Sequence, residues 1–489
     1  MATPLSQLKK IRRDKLAELK KLGVDPFAFT FDKKLNISQC LEKKGKQVTT
    51  AGRLMAMRGH GALSFADLVD ETGKIQLIFR QDKLKDVEQK VLALLDLGDI
   101  VGVSGQSTES KSGEPSIEVE SLTLLTKSLR PLPGQWQGLK DIEERYRQRY
   151  VDLLLNPKVR QVFDTRSKLL TYFRKYLDDH GFIEVETPIL QPLYGGATAK
   201  PFKTHHNALD AEFYLRIADE LYLKRLIVGG YEKVYEVCKD FRNEGIDRQH
   251  NPEFTQIEFY MAYADYHDLM DISEDMLSSA VKEVTGSYKI TTQGQEIDFS
   301  PGWEKVTYRD LILRHTQIDI KLVTTEADLL EEIKVKKLKV DLKGVSGYGN
   351  ILDQLYKDYC RPKVTGPLFL IDHPHSAKPL AKRKPDEPDK VASVALIIAG
   401  FEIFNAYSEL NDPIDQRARW QEEKKLAKAG FEEAQVMDED YLRALEYGMP
   451  PTAGLGLGID RLTAIITDSD NLKDVIIFPT LKPEMQKQS

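Results

Sequence analysis

Polarity alternates with a period of two in the second half of the stretch FRNEGIDRQHNPEFTQIEFY (241–260). An extended strand sends successive side chains to opposite faces. Ile257, Phe259 and Met261 therefore share one face, and Gln256, Glu258 and Tyr260 share the other. The apolar set is large and belongs in a core. The other set combines amide, carboxylate and phenol. That face is either a solvated sheet surface or the floor of a pocket. Arg242 on the preceding strand favours a pocket for a charged small molecule. The chain thus needs a sheet with one covered side and one chemically specialised side.

Composition sets the outer limits. The 489 residues are 41% hydrophobic and 30% charged, enough for two or three domains with real cores. No run of eighteen apolar residues exists, so a membrane-spanning helix is excluded. The segment MATPLSQLKKIRRDKLAELKKL lacks the apolar stretch of a secretory signal. Cys40, Cys238 and Cys360 are scattered without a CxxC, which argues against a disulfide framework or a cysteine zinc site. A cytoplasmic location is expected. The net charge of −6 gives no global sign of a nucleic-acid partner, although local patches decide such binding.

The pattern predicts an α+β chain in three parts. Residues 1–46 form a helical arm, with Leu5, Leu8, Ile11, Leu16 and Leu19 at helical spacing. Seven basic and two acidic residues within 9–21 make this either a solvated helix or an arm that meets a phosphate backbone. Residues 47–130 carry five short β-rich runs separated by turns such as ETGK and KSGEP, with one helical interruption near 84–97. That is the pattern of a small OB-type barrel. Its charges nearly balance, so any binding of nucleic acid there needs stacking and base-edge contacts. The proline-punctuated LRPLPGQW (129–136) leads into residues 131–489, where strands and long helices mix.

This last part holds the chemical signals. Glu220 lies in DELYLKRL among Leu221, Leu223 and Leu226, and a carboxylate there needs a cationic partner. A structural arginine and a cationic ligand are both open. In GFEIFNAYSELNDP (400–413), Glu402 falls on the opposite strand face from Asn405, Tyr407 and Glu409, unless a bulge intervenes. An acid and an amide so placed could hold magnesium, which prefers oxygen ligands. TAGLGLGIDRL (452–462) is neither a P-loop nor a dinucleotide fingerprint. Its glycines permit close backbone approach at a strand-to-helix junction, where Arg461 opens the helix. Together these features call for a substrate with phosphates, a carboxylate and an amine.

In this order the segments resemble the class II lysyl-tRNA synthetases. GFIEVETPIL (181–190), with Pro188, resembles the family's first motif; FRNEG…HNPEFTQIE (241–258) resembles the second; GLGLGIDR (454–461) resembles the third. THHNALDAEFYLRIADELYLKRL and YSELNDP resemble the lysine branch. Neither HIGH nor KMSKS, the class I signatures, is present. The resemblance implies an OB-fold anticodon-binding barrel followed by a catalytic domain with an antiparallel sheet flanked by helices. It implies a homodimer that joins ATP, L-lysine and tRNA(Lys), with Mg2+ accompanying ATP. Arg242 would hold the α-phosphate and the amino-acid carboxylate. Glu244, His250, Asn251 and Gly458 would line the ATP side, with Phe254 stacking on adenine and Arg461 covering its other face. Gly196 and Glu258 would receive the α-amino group. Glu220 and Glu409, helped by Tyr260, would hold the ε-ammonium, beside Asn405 and Tyr407. Glu402 would be the metal ligand. Arg58, Phe65, Gln76 and Glu114 match positions that read the anticodon.

One departure stands out. The family usually carries a second acid seven positions before the glutamate matched by Glu402, and here that position is Ala395. Asp386, Glu387 or Asp389 could compensate. Ala395 is also the sole support for a catalytically impaired paralogue that serves as an RNA-binding or regulatory protein. Aspartyl and asparaginyl enzymes would need a basic residue facing the side chain, where this chain offers Glu220 and Glu409. A protein-modifying lysyl transferase would lack the barrel.

Overall fold

The computed structural model describes residues 4–59, 63–133, 139–376, 378, 381–428 and 436–484, with side chains omitted for 422–428. The chain divides into two compact units, Met1–Lys140 and Asp141–Ser489.

In the first unit, β1 (Gln47–Arg58), β2 (Leu63–Val69), β3 (Lys74–Arg80), β4 (Ile100–Glu109) and β5 (Pro115–Thr126) close a barrel in the order β1-β2-β3-β5-β4. Closure removes the free edges of a small sheet. Leu54, Leu68, Leu77, Val101 and Val119 fill the interior. The helix Asp86–Leu94 is the interruption seen in the sequence, and its Val91 joins that core. The N-terminal helix Leu5–Lys21 packs on the same core through Leu19. Two of its basic residues have internal partners. Arg12 donates to the carbonyl oxygens of Leu97 and Ser128 at 2.9 Å, and Lys15 pairs with Asp96 at 2.7 Å.

The second unit is built on one large sheet. After β6 (Ile183–Glu184), three short strands β7 (Leu190–Gln191), β8 (Lys203–His206) and β9 (Ala211–Leu215) make a side sheet. Then follow β10 (Lys233–Phe241), β11 (Glu253–Ala262), the small hairpin β12 (Lys289–Thr292) and β13 (Gln295–Asp298), and β14 (Glu304–Thr307). The last strands are β15 (Leu368–Ile371), β16 (Ser393–Ile398), β17 (Phe401–Ser408) and β18 (Thr452–Gly458). The eight-stranded order is β14-β15-β16-β17-β18-β11-β10-β6, and its central pairs from β15 to β10 are antiparallel. The helix Pro157–Asp179 and the helix Tyr266–Thr285 pack Phe173, Leu177, Leu269 and Leu277 against one face. Ile257 and Phe259 of β11 enter that core, as their alternation requires, with Met261 packed at its margin. Among the described residues, no helix is long and apolar enough to cross a membrane.

Candidate active site

The uncovered face of β11, β17 and β18 is the floor of a cavity of about 1270 Å3. Register shows how it is made. Glu258 pairs with Gly456, which pairs on its other side with Asn405; Tyr260 pairs with Gly454, which pairs with Tyr407. Directly opposed residues share a face, so glycines lie between two rows of functional side chains. Space for a ligand arises because the middle row has none. A Cβ on Gly454 would stand 2.6 Å from Glu409 Oε1 and would collide with the Tyr260 ring.

β17 answers the question left by its sequence. Ile397 pairs with Glu402 and Leu396 with Phe404, so Ile403 is an extra residue at a bulge. The bulge brings Glu402 onto the face of Asn405 and Tyr407, while Ile403 and Phe404 both enter the core.

All fifteen residues expected in this site line the one cavity: Gly196, Glu220, Arg242, Glu244, His250, Asn251, Phe254, Glu258, Tyr260, Glu402, Asn405, Tyr407, Glu409, Gly458 and Arg461. Asp386, Glu387 and Asp389 do not; Glu387 instead pairs with Lys390 at 2.5 Å.

The cavity is electrically polarised. At one end the helix Glu220–Val228 supplies Glu220 in its first turn and Lys224 one turn later. The Lys224 ammonium lies 2.5 Å from Glu220 and 2.6 Å from Glu409. Glu220's partner is thus neither the structural arginine nor only a ligand, but a resident lysine. Burial works against the Lys224 charge, yet Glu220 and Glu409 outweigh it and hold its pKa well above the usual lysine value. Burial pushes Glu409 up to about 7, with Lys224 drawing it down and Glu220 pushing it further up. Glu258 accepts from the Gln256 amide at 2.6 Å and from the Tyr260 hydroxyl at 3.2 Å. Burial, then Asp219 and Asp240, raise its pKa well above that of an ordinary glutamate. Asp219 is itself fully buried, and neither of its oxygens receives a hydrogen bond. Burial raises its pKa to about 6. Three glutamates and Asp219 against Lys224, with Lys382 acting on Glu409 from farther off, leave this end short of positive charge. It suits a ligand with ammonium groups.

The other end is basic. The Arg242 guanidinium lies 5.0 Å from the centre of the Phe254 ring, on one of its faces. Arg461 donates to the Glu402 carbonyl oxygen at 3.0 Å, which points its planar fork along the bulged strand. His250, in the exposed loop before β11, pairs with Asp247 at 2.9 Å. The buried Oδ1 of Asn251 has no donor.

Metal ligation is limited by the same geometry. Glu402 is the one carboxylate on β16 and β17, and Arg361 approaches it at 3.8 Å. Ala395 pairs directly with Asn405, so the position of a second acid on this face carries only a methyl group. The Asn405 Oδ1 is taken by the Lys378 ammonium at 2.8 Å. This set would suit one divalent ion on Glu402 and does not fit an ion held between carboxylates of β16 and β17.

In the barrel, Arg58 pairs with Phe65, Phe65 with Ile78, and Asp67 with Gln76, so Arg58, Phe65 and Gln76 share a face. Phe65 is half-buried and lies outside the core cluster. Arg58 donates to Asp67 at 2.7 Å, and Gln76 donates to Glu114 at 2.8 Å. Arg58, Gln76 and Glu114 therefore sit in one polar ladder beside Phe65, joined by Asp67, which sequence reasoning missed. Gln76 is more buried than a base-reading amide would be, at 6% exposure.

Sequence reasoning also missed Lys224, Lys378 and Asp219. Lys224 was visible as an i,i+4 partner of Glu220. The other two depend on loop placement and cross-strand register.

Comparison with known proteins agrees with this geometry. The model of the family described as tRNA synthetases class II (D, K and N) matches residues 141–482, and that of the OB-fold nucleic acid binding domain matches residues 48–125. The chain is similar to the lysine–tRNA ligase of Syntrophomonas wolfei subsp. wolfei, 48% identical over 98% of each chain. It is 49% identical to the lysine–tRNA ligase of Roseiflexus castenholzii, over 98% of this chain and 99% of that one. The corresponding enzyme of Pelotomaculum thermopropionicum is 46% identical over 98% and 96%. With these matches over nearly its whole length, the chain belongs to the class II tRNA synthetases of the D, K and N group.

Proposed function

We infer that the protein is a lysine–tRNA ligase. It activates L-lysine with ATP and transfers it to the 3′ end of tRNA(Lys). The observation that carries the amino-acid choice is the acidic end of the cavity, where Glu220, Glu258 and Glu409 outnumber Lys224. A dicarboxylic amino acid would be repelled there, and a neutral one would leave buried charge unpaired.

The polarity of the cavity sets the orientation. The ε-ammonium lies toward Glu220 and Glu409, under the Tyr260 ring. The α-amino group meets Glu258 beside Gly196, with Asn405 and Tyr407 along the opposite wall. The carboxylate then points toward Arg242, whose two parallel N–H groups suit a carboxylate and a phosphate together. ATP occupies the basic end between Phe254 and Arg461, against Glu244, His250, Asn251 and Gly458. Glu402 would hold the Mg2+ that accompanies ATP, an ion that would offset phosphate charge when bound. A lysine carboxylate oxygen attacks the α-phosphorus, and the bond to the bridging oxygen breaks to release pyrophosphate. The ribose 3′-hydroxyl oxygen of tRNA then attacks the activated carbonyl carbon and AMP leaves. No protein nucleophile is needed; alignment and charge placement carry the first step.

Residues 131–489 are the catalytic domain in this reading, residues 47–130 the anticodon domain and residues 1–46 a helical arm. Arg58, Phe65, Gln76 and Glu114 contact the anticodon. The active species is a cytoplasmic homodimer. Around Pro188, Ile183, Ile189, Leu190 and Leu193 are all more than 40% exposed, an apolar surface that suits a two-fold contact. Sedimentation should give twice the chain mass at assay concentrations, and a fully active monomer would contradict it. The test of function is ATP–pyrophosphate exchange with each of the twenty amino acids, expected with L-lysine alone. Absence of exchange with tRNA binding retained would favour the impaired RNA-binding paralogue.

A further inference from the structure

Lys378 has no role in the chemistry above, yet its ammonium enters the same cavity. It donates to Asn405 Oδ1 at 2.8 Å and to the Tyr407 hydroxyl at 3.3 Å, and lies 5.1 Å from the centre of the Tyr407 ring. Burial lowers its pKa, but Tyr407, Glu402 and Asp353 prevail and hold it above the usual lysine value. It is therefore a fixed cation. Its direct partners are an amide oxygen and a phenol oxygen, with Glu402 and Asp353 acting on it from farther off and Asp353 itself paired with Lys357 at 2.6 Å. Ala395, paired with Asn405 and fully buried, puts no carboxylate beside that amide to compete for the cation.

We propose that the Lys378 ammonium is a built-in cation for the phosphate chain of the bound nucleotide, standing where a second divalent ion would otherwise sit. This rests on the ATP reading given above. A site that lacks a second carboxylate at the position paired with Asn405, but holds an ammonium against that amide, has exchanged a diffusible charge for a covalently attached one. The ammonium is a point charge with three donors. Asn405 and Tyr407 take two, and the third is left for an anionic oxygen. One divalent ion on Glu402 then suffices.

The test measures binding of ATP to the full chain by calorimetry, in excess Mg2+ and in EDTA, for wild type and Lys378→Met. Wild type should bind ATP in EDTA within about tenfold of its affinity in Mg2+. Lys378→Met should lose about ten- to a hundredfold in EDTA, the effect of removing a hydrogen bond to a charged group. Lys378→Arg should recover part of it. The double variant Lys378→Met/Ala395→Glu should bind one more Mn2+ per ATP-loaded site than wild type. Lys378 as a mere pin for its loop would lower the melting temperature and leave the EDTA and Mg2+ affinities in their wild-type ratio, which overturns the proposal. If Lys378→Met does not fold, Ala395→Glu alone decides: it should gain no Mn2+ because Lys378 pairs with the new acid, and a gained ion overturns the proposal. Lysine-dependent exchange by wild type tests the ATP reading separately.

Discussion

Replacing Lys224 by methionine should make the stability of the protein depend on pH in a defined way. Lys224 is 5% exposed, and its ammonium touches Glu220 and Glu409 at 2.5 and 2.6 Å. Methionine keeps most of the volume, so the change removes charge more than packing. Removing one partner of a buried pair costs about 3–5 kcal/mol, because the other charge is left without compensation. Here Glu409 can escape part of that cost by taking up a proton. Its folded pKa of about 7 lies above the ordinary 4.5 even with Lys224 in place. A raised carboxyl pKa means that the folded state binds the proton more tightly. The associated stability is complete below about 4.5 and is lost as pH rises through about 7. Without Lys224, the main group drawing that pKa down is gone, so the loss should continue above pH 7. Unfolding by guanidinium should then show a small deficit for the variant near pH 5 and the full 3–5 kcal/mol near pH 8, about the cost of an uncompensated buried charge. Trp420 fluorescence is a suitable signal, because this indole is buried in the cluster that holds Leu221 and Leu223. Saturating L-lysine should restore part of the loss at high pH by supplying another ammonium. A deficit that is equal at all pH values, or below about 1 kcal/mol throughout, would refute the electrostatic account.

Glu402→Gln should nearly abolish lysine-dependent pyrophosphate exchange, with only partial rescue by excess Mg2+, and near-normal exchange at low Mg2+ would place the ion elsewhere. Gly454→Ala should raise KM for lysine sharply with little change in ATP affinity, since its methyl group would stand 2.6 Å from Glu409 Oε1; equal losses for both substrates would point to a general distortion. Phe65→Ala should weaken aminoacylation about ten- to a hundredfold, from roughly 1–3 kcal/mol of lost base stacking. It should leave tRNA-independent exchange intact, and loss of both rates on the same preparation would mark Phe65 as structural.

The readable parts of this molecule were those where one local period decided the outcome. The alternation at 256–261 placed Gln256, Glu258 and Tyr260 in the cavity and Ile257 and Phe259 in the core because a pleat leaves no third choice. The barrel showed through in its turn spacing. Cross-strand partnership was not readable. The glycines of β18 could be read as permissive, but their place between Glu258 and Asn405 needs the register of three strands. The lysine pocket was inferred from charge balance as two acids awaiting a substrate cation. That argument missed Lys224, which already lies between them, so the charge deficit rests on Glu258 and Asp219 as well. Lys378 lies in a loop with no period, and only its placement against Asn405 gives it meaning.

The bulge at Ile403 divides β17 into two phases of the pleat. Asn405 and Tyr407 keep time with β18, while Glu402 follows the opposite beat. Straightening the bulge with every residue retained would leave the strand's length and hydrogen-bonding capacity almost unchanged. It would turn the Glu402 carboxylate toward the helices, whereas the amino-acid wall would stay in place. Deleting Ile403 would not, because Glu402 would then precede Asn405 by two residues and keep its face. A change of phase elsewhere in a sheet scrambles a core. Here it would separate recognition of the amino acid from handling of the nucleotide, in a protein still able to fold. The surplus residue therefore lets an acid three positions from Asn405 share its wall, and it is the phase of the strand, more than its count of residues, that couples the two halves of the reaction.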